Sequence, residues 1–189
     1  MSKKAAVLLA EGFEEVEALA VVDVLRRAGI TCHTVSTGGE YITSSHQVTI
    51  KADELLSEAV TDYDLVAVPG GLPGATNLRD DARVIDIIKT MNDSGKLLCA
   101  MCAGPIVLGK AGVLDGKNYT CYPGFNEKME TTGKFHEDLV VRDGNVITSR
   151  GPATAWAFAY KILEALGEDS SALKEGMLYN LLMQDAKNA

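Results

Sequence analysis

The chain has 189 residues, a length that suits one domain over 1–189, and 47% of them are apolar, enough for a full core without disulfides or metals. The net charge is −8 and no Lys/Arg-rich run exists to meet phosphates, which excludes a nucleic-acid surface. No stretch approaches the ~20 apolar residues of a membrane span, and the basic-then-apolar start "MSKKAAVLLA" stops at Glu11 without a cleavage-like segment, so a cytoplasmic protein is expected.

The run "AAVLLA" reads as a buried strand, after which "EGFEEVEALAVVDVLRRAGI" turns helical. Its apolar stripe comprises Glu17, Ala20, Val21, Val24, Leu25 and Ala28, with Glu11, Glu14 and Glu15 free to face solvent. Gly29 ends the helix in the left-handed position. "ITCHTVS" is a second strand. Residues 38–62 form a less regular excursion, a short hairpin plus a helical turn around "DELLSEA". "DLVAVPGG" is a strand ending abruptly in Pro-Gly-Gly, and "DDARVIDIIKTMNDSG" a helix with an Asp start and a Gly stop. "KLLCAM" is another buried strand, and "GPIVLGKAG" a short helix with Pro in its first turn. "NYTCYP" reads as a short strand, and "DLVVRDGNVITS" as a hairpin around Asp143-Gly144-Asn145. Two helices close the chain, "GPATAWAFAYKILEALG" and "SALKEGMLYNLLMQDA".

Strands alternating with helices imply an α/β fold: a doubly wound, mostly parallel sheet with helices on both faces. Sites in such folds lie at the carboxyl ends of the strands. Three features fall there: the segment from Glu11-Gly12 onward, Pro69-Gly70-Gly71, and Cys102.

"CAMCAGP" contains Cys-x-x-Cys, which raises the question of a redox or metal pair. If the strand runs to Met101, Cys99 and Cys102 point to opposite faces. The extended chain between them spans about 10 Å, too far for a disulfide. A zinc site lacks a second Cys pair or a His pair at ligand spacing, so no metal is expected. Cys99 reads as a small buried hydrophobe. Cys102, with small neighbours in "AMCAG", fits a nucleophile elbow at a strand-to-helix turn, where helix amides favour thiolate and lower a thiol pKa. The plain alternative is a half-buried structural cysteine.

Glu17 is the second anomaly. A carboxyl on a buried stripe is costly when ionised, so its pKa rises, and the protonated acid can donate to a thiolate or shuttle a proton; the plain alternative is a glutamate that snorkels outward. "VPGGLPG" completes the set: two glycines let backbone amides approach a ligand, and with the Ala103 amide they can form an oxyanion hole. Phosphate-loop patterns are absent.

Together, "EGFEEVEALAVVDVLRRAGI", "DLVAVPGGLPGATNL", "CAGP" and "ITSRGPATAWAFA" closely resemble the DJ-1/ThiJ/PfpI superfamily, in the branch of the parkinsonism-associated deglycase and its bacterial relatives. The resemblance extends over nearly the whole chain. It implies a flavodoxin-like sandwich, a homodimer, no cofactor, a reactive Cys102, a protonated Glu17, and backbone donors from Gly71 and Ala103. It places Gly70 beside them and maps the family's basic residues near the dimer pocket to Arg26 or Arg27. Some branch members carry a histidine where this chain has Tyr122, and the protease-like branch has one where this chain has Ala103. Where the branch has an arginine reaching across from a partner, this chain has His46, an imidazole for the neighbouring subunit's pocket. The resemblance implies activity on small α-oxoaldehydes or early glycation adducts, as a glutathione-independent glyoxalase or deglycase. The alternatives are an oxidative-stress sensor or chaperone working through Cys102 oxidation and, disfavoured by the missing histidine, a peptidase.

Overall fold

The computed structural model describes residues 3–188. Its strands are β1 (Lys4–Leu9), β2 (Thr31–Ser36), β3 (Tyr41–Thr43), β4 (Thr49–Lys51), β5 (Glu54–Leu55), β6 (Leu65–Val68), β7 (Leu97–Met101), β8 (Asn118–Tyr119), β9 (Lys134–Phe135), β10 (Val140–Asp143) and β11 (Val146–Ser149). Its helices are α1 (Glu15–Arg27), α2 (Gly74–Asp80), α3 (Ala82–Asp93), α4 (Pro105–Lys110), α5 (Ala155–Ala165), α6 (Ser171–Gly176) and α7 (Tyr179–Asn188).

One seven-stranded sheet runs in the order β10-β11-β7-β6-β1-β2-β5. All its pairings are parallel except β10 with β11. The central strands are apolar on both faces because both are covered. Ala5, Val7 and Leu9 of β1 join Ala67, Cys99 and Ile147 under Val21 and Leu25 of α1 and Phe158 and Ile162 of α5. Ala6 and Leu8 join Val66, Leu98 and Val146 on the other side, under α2, α3 and α4. This is the doubly wound α/β sandwich expected from the sequence. Among the described residues, no helix is long and apolar enough to cross a membrane.

Local expectations fail in instructive places. The buried face of α1 is wider than one stripe and takes in Ala18 and Val22, because α1 packs on the sheet and on α5 together. Glu14, expected to face solvent, is buried and caps α1. Within "DELLSEA", Glu54-Leu55 extends the sheet as β5, and the helical turn begins only at Glu58. Helix α2 follows directly on Pro-Gly-Gly, a helix with no long apolar period to announce it. "NYTCYP" contributes only Asn118-Tyr119, paired with β9 outside the main sheet. The last helix breaks in two at Leu178, which adopts φ +60°. Tyr160 of α5 packs against the break: its hydroxyl donates to Met177 Sδ at 3.3 Å and its ring meets Tyr179 at 5.0 Å between centroids.

Strand order reverses around β1, which has β2 on one side and β6 on the other although β2 follows it in sequence. The crevice beyond the carboxyl ends of β1 and β6 is therefore the place where this topology opens a site.

Candidate active site

Three loops meet at that crevice. The loop after β1 leads into α1, where the Glu14 carboxylate accepts the Glu17 amide at 2.7 Å and starts the helix. The loop after β6 is tied to this entrance, because the Glu14 amide donates to Gly70 O at 3.0 Å. The loop after β7 turns at Cys102, whose φ of +58° is left-handed and rare for a residue with a side chain. Three hydrogen bonds hold that conformation: Cys102 N to Ser149 O at 3.0 Å, Gly104 N to Met101 O at 2.7 Å, and Tyr122 N to Cys102 O at 2.9 Å. The alternation argument for Cys99 and Cys102 therefore stops at Met101. Both thiols are free, Cys99 sealed in the core and Cys102 half-buried.

Glu17 is wholly buried. Its Oε2 accepts the Gly70 amide at 2.6 Å, and its Oε1 is buried with no hydrogen-bond partner. Burial pushes its carboxyl from the ordinary 4.5 to about 7; the Gly70 amide and the Cys102 side chain act against the rise, and Glu14 adds to it. The expectation of a raised, proton-holding Glu17 fits this environment.

The thiol behaves differently from expectation. Burial raises Cys102, and the charge of Glu17 and its hydrogen bond raise it further, while the Ala103 and Gly71 amides pull the other way. The amides do not win. Burial is the largest cause, and an ionised Glu17 adds to it by disfavouring a second negative charge beside it.

Cys102 opens onto a shallow pocket of about 290 Å³ whose wall includes Glu14, His46, Gly71, Ala103, Tyr122 and Phe125. A larger cavity, about 430 Å³, lies elsewhere beside Leu56, Arg83 and Asp86 and is lined by no cysteine. Size therefore does not locate the chemistry; the thiol does.

His46 lines the pocket of its own chain. The β3–β4 hairpin carries it there, pinned by Gly12 N to Thr43 O and Ser45 N to Phe13 O, each 2.8 Å. Its Nδ1 lies 3.0 Å from Glu15 Oε1. Burial raises Glu15, but its backbone amide, His46 and Ser44 outweigh burial and hold its carboxyl below the ordinary range. Arg26 and Arg27 do not line this pocket: Arg26 binds Cys32 O and Asp53, and Arg27 pairs with Asp23. His33 meets Tyr63 and His136 meets Asn118, both outside the pocket. Among the described residues, Glu14, Glu15 and His46 are the one group whose ligand atoms lie close enough to hold a metal, within 4.8 Å of one another.

Sequence reasoning missed Glu14 and Glu15. Glu14 sits three residues before Glu17, the spacing of a side chain that caps the N3 amide, and that signal was available. Nothing local to Glu15 announces its pairing with a residue of a distant hairpin.

Comparisons with known proteins agree with the fold. A family model described as the DJ-1/PfpI family matches residues 3–165. Protein dj-1beta of Drosophila melanogaster is 42% identical over 94% of this chain and 98% of its own. Its crystal structure superposes with a TM-score of 0.89 at 41% identity, covering 94% of this chain and 98% of that one. The glutathione-independent glyoxalase DJR-1.2 of Caenorhabditis elegans is 36% identical over 87% of this chain and 89% of its own.

Proposed function

This chain belongs to the DJ-1/PfpI family, and on that premise we propose that it is a cysteine-dependent, glutathione-independent glyoxalase acting on small α-oxoaldehydes. The observation that carries the proposal is the wholly buried Glu17, bonded to the Gly70 amide beside the Cys102 turn at the strand-end crevice. The likeness to a relative named as a glutathione-independent glyoxalase supports the substrate class.

With methylglyoxal, the Cys102 sulfur bonds to the aldehyde carbon, and the thiol proton passes through Glu17 to the former aldehyde oxygen, giving a hemithioacetal. The amides of Gly71 and Ala103 receive the oxygen charge as it develops. Ionised Glu17 then takes the hydrogen of that carbon and returns it to the neighbouring ketone carbon. One carbon rises to the carboxylic level and the other falls to the alcohol, so no outside oxidant is needed. Water adds to the resulting thioester, the carbon–sulfur bond breaks, and lactate leaves the regenerated thiol. A carboxyl held near 7 suits both halves of this proton traffic. Early glycation adducts are accommodated by the same thiol.

The test is lactate formation from methylglyoxal without glutathione, for wild type, Cys102→Ser and Glu17→Gln. Wild-type turnover is expected, with each variant reduced at least ~10²-fold. A wild type that makes no lactate would overturn the assignment in favour of an oxidant-sensing thiol. We also take the active form to be a homodimer, in line with the family resemblance.

A further inference from the structure

The proposed reaction contains two kinds of proton transfer, and the chain offers two acid–base groups in opposite surroundings. Glu17 is sealed from solvent. The His46 side chain is 69% exposed on the wall of the same pocket. Its Nδ1 faces Glu15 Oε1 at 3.0 Å and Ser45 Oγ at 3.3 Å. A carboxylate can only accept, so Nδ1 carries the hydrogen, and Nε2, with no partner among the described residues, is the basic nitrogen. Glu15 is mostly shielded, its side chain 16% exposed, and its Oε2 is buried without a partner. Among the described residues, no other imidazole lines this pocket.

We propose that Glu15 and His46 form a carboxylate–imidazole dyad that activates the water for thioester hydrolysis, leaving Glu17 to the water-free transfers. The inference rests on the glyoxalase proposal. In this step His46 Nε2 takes a proton from water as its oxygen bonds to the thioester carbon. The carbon–sulfur pair leaves with Cys102, and His46 returns the proton to the sulfur. A sealed carboxyl and an exposed imidazole on one pocket divide the dry and the wet step between them.

The experiment compares wild type, His46→Gln and Glu15→Gln with methylglyoxal, following lactate, the acyl adduct on Cys102 by intact-protein mass, and the pH–rate profile. His46 is exposed, so folding of its variant is not at risk. His46→Gln is expected to slow lactate formation about 10²-fold and to accumulate the adduct, while the acidic limb that ionised Glu17 sets in the profile persists. Other titrating groups facing His46 are Glu14, Glu15, Cys102 and Tyr122, and none of these is removed by the substitution. Hydroxylamine, which attacks a thioester without a base, should release lactohydroxamate from this variant at the wild-type rate, and added imidazole should restore lactate. Glu15→Gln should show a smaller loss with the same adduct. An active wild type with His46→Gln within about twofold and no adduct would overturn the dyad while leaving the Cys102–Glu17 assignment standing. Activity lost on chelation and restored by a divalent cation would overturn it in favour of a metal at Glu14, Glu15 and His46. An inactive wild type would overturn both proposals.

Discussion

Gly70 has no room for a side chain. A Cβ there would stand 2.7 Å from Cys102 Cβ, 2.8 Å from Glu17 Oε2 and 2.9 Å from Ala103 N. Gly70→Ala must push thiol, acid and amide apart, and displacements of this size cost about 10²-fold in rate; kcat of the variant beside its melting temperature separates that effect from unfolding. Glu17 makes a second prediction. Its carboxyl, raised from 4.5 to about 7 by burial, favours the protonated form in the folded chain. Folding therefore carries no penalty below the unfolded value, an increasing one as pH climbs from 4.5 to 7, and a constant one above. Glu17→Gln removes the titration while still accepting the Gly70 amide. It should be more stable than wild type at pH 8 by up to about 3 kcal/mol, with the difference fading toward pH 4. Urea unfolding at both pH values checks this, and an advantage independent of pH would sink it.

At the scale of elements, the site depends on how short segments are held. Helix α4 is only six residues long, yet it anchors the Cys102 turn through Ile106, Val107 and Leu108 in the core. Leu108 is wholly buried, so Leu108→Ala should cost about 2–5 kcal/mol. Denaturant midpoints measure that cost, and a loss below 1 kcal/mol would show that α4 repacks freely. The start of α1 is equally specific: the Glu14 carboxylate caps the Glu17 amide. Helix α7, by contrast, leaves Leu181 and Leu182 about 60% exposed, and the break before it follows Gly176, with Met177 and Tyr179 on either side of Leu178 meeting Tyr160.

At the scale of the molecule, Val16 and Leu19 on α1 stay exposed at 47% and 36% beside the site's own helix. Apolar residues so placed fit an interface with a second copy. Sedimentation equilibrium of the wild type should give a dimer, and Val16→Asp should shift it toward monomer; a monomeric wild type at tens of micromolar would exclude the homodimer. The two apolar faces of the sheet, the helices that cover them and the glycines that end the helices were legible in the chain because hydrophobic period and left-handed glycine are local properties. Glu17 on an apolar stripe and Cys102 between small residues were legible for the same reason. Three matters were decided only by tertiary structure. The Cys102 thiol is raised rather than lowered, because its balance depends on how deeply it is buried and on a carboxyl from another segment. Glu14 is buried, because the Pro-Gly-Gly loop closes over it. His46 joins the pocket of its own chain, because a hairpin distant in sequence is pinned by two backbone hydrogen bonds to the loop before α1. Proton affinity and proximity are set by what surrounds a group in space, and no spacing along the chain records that.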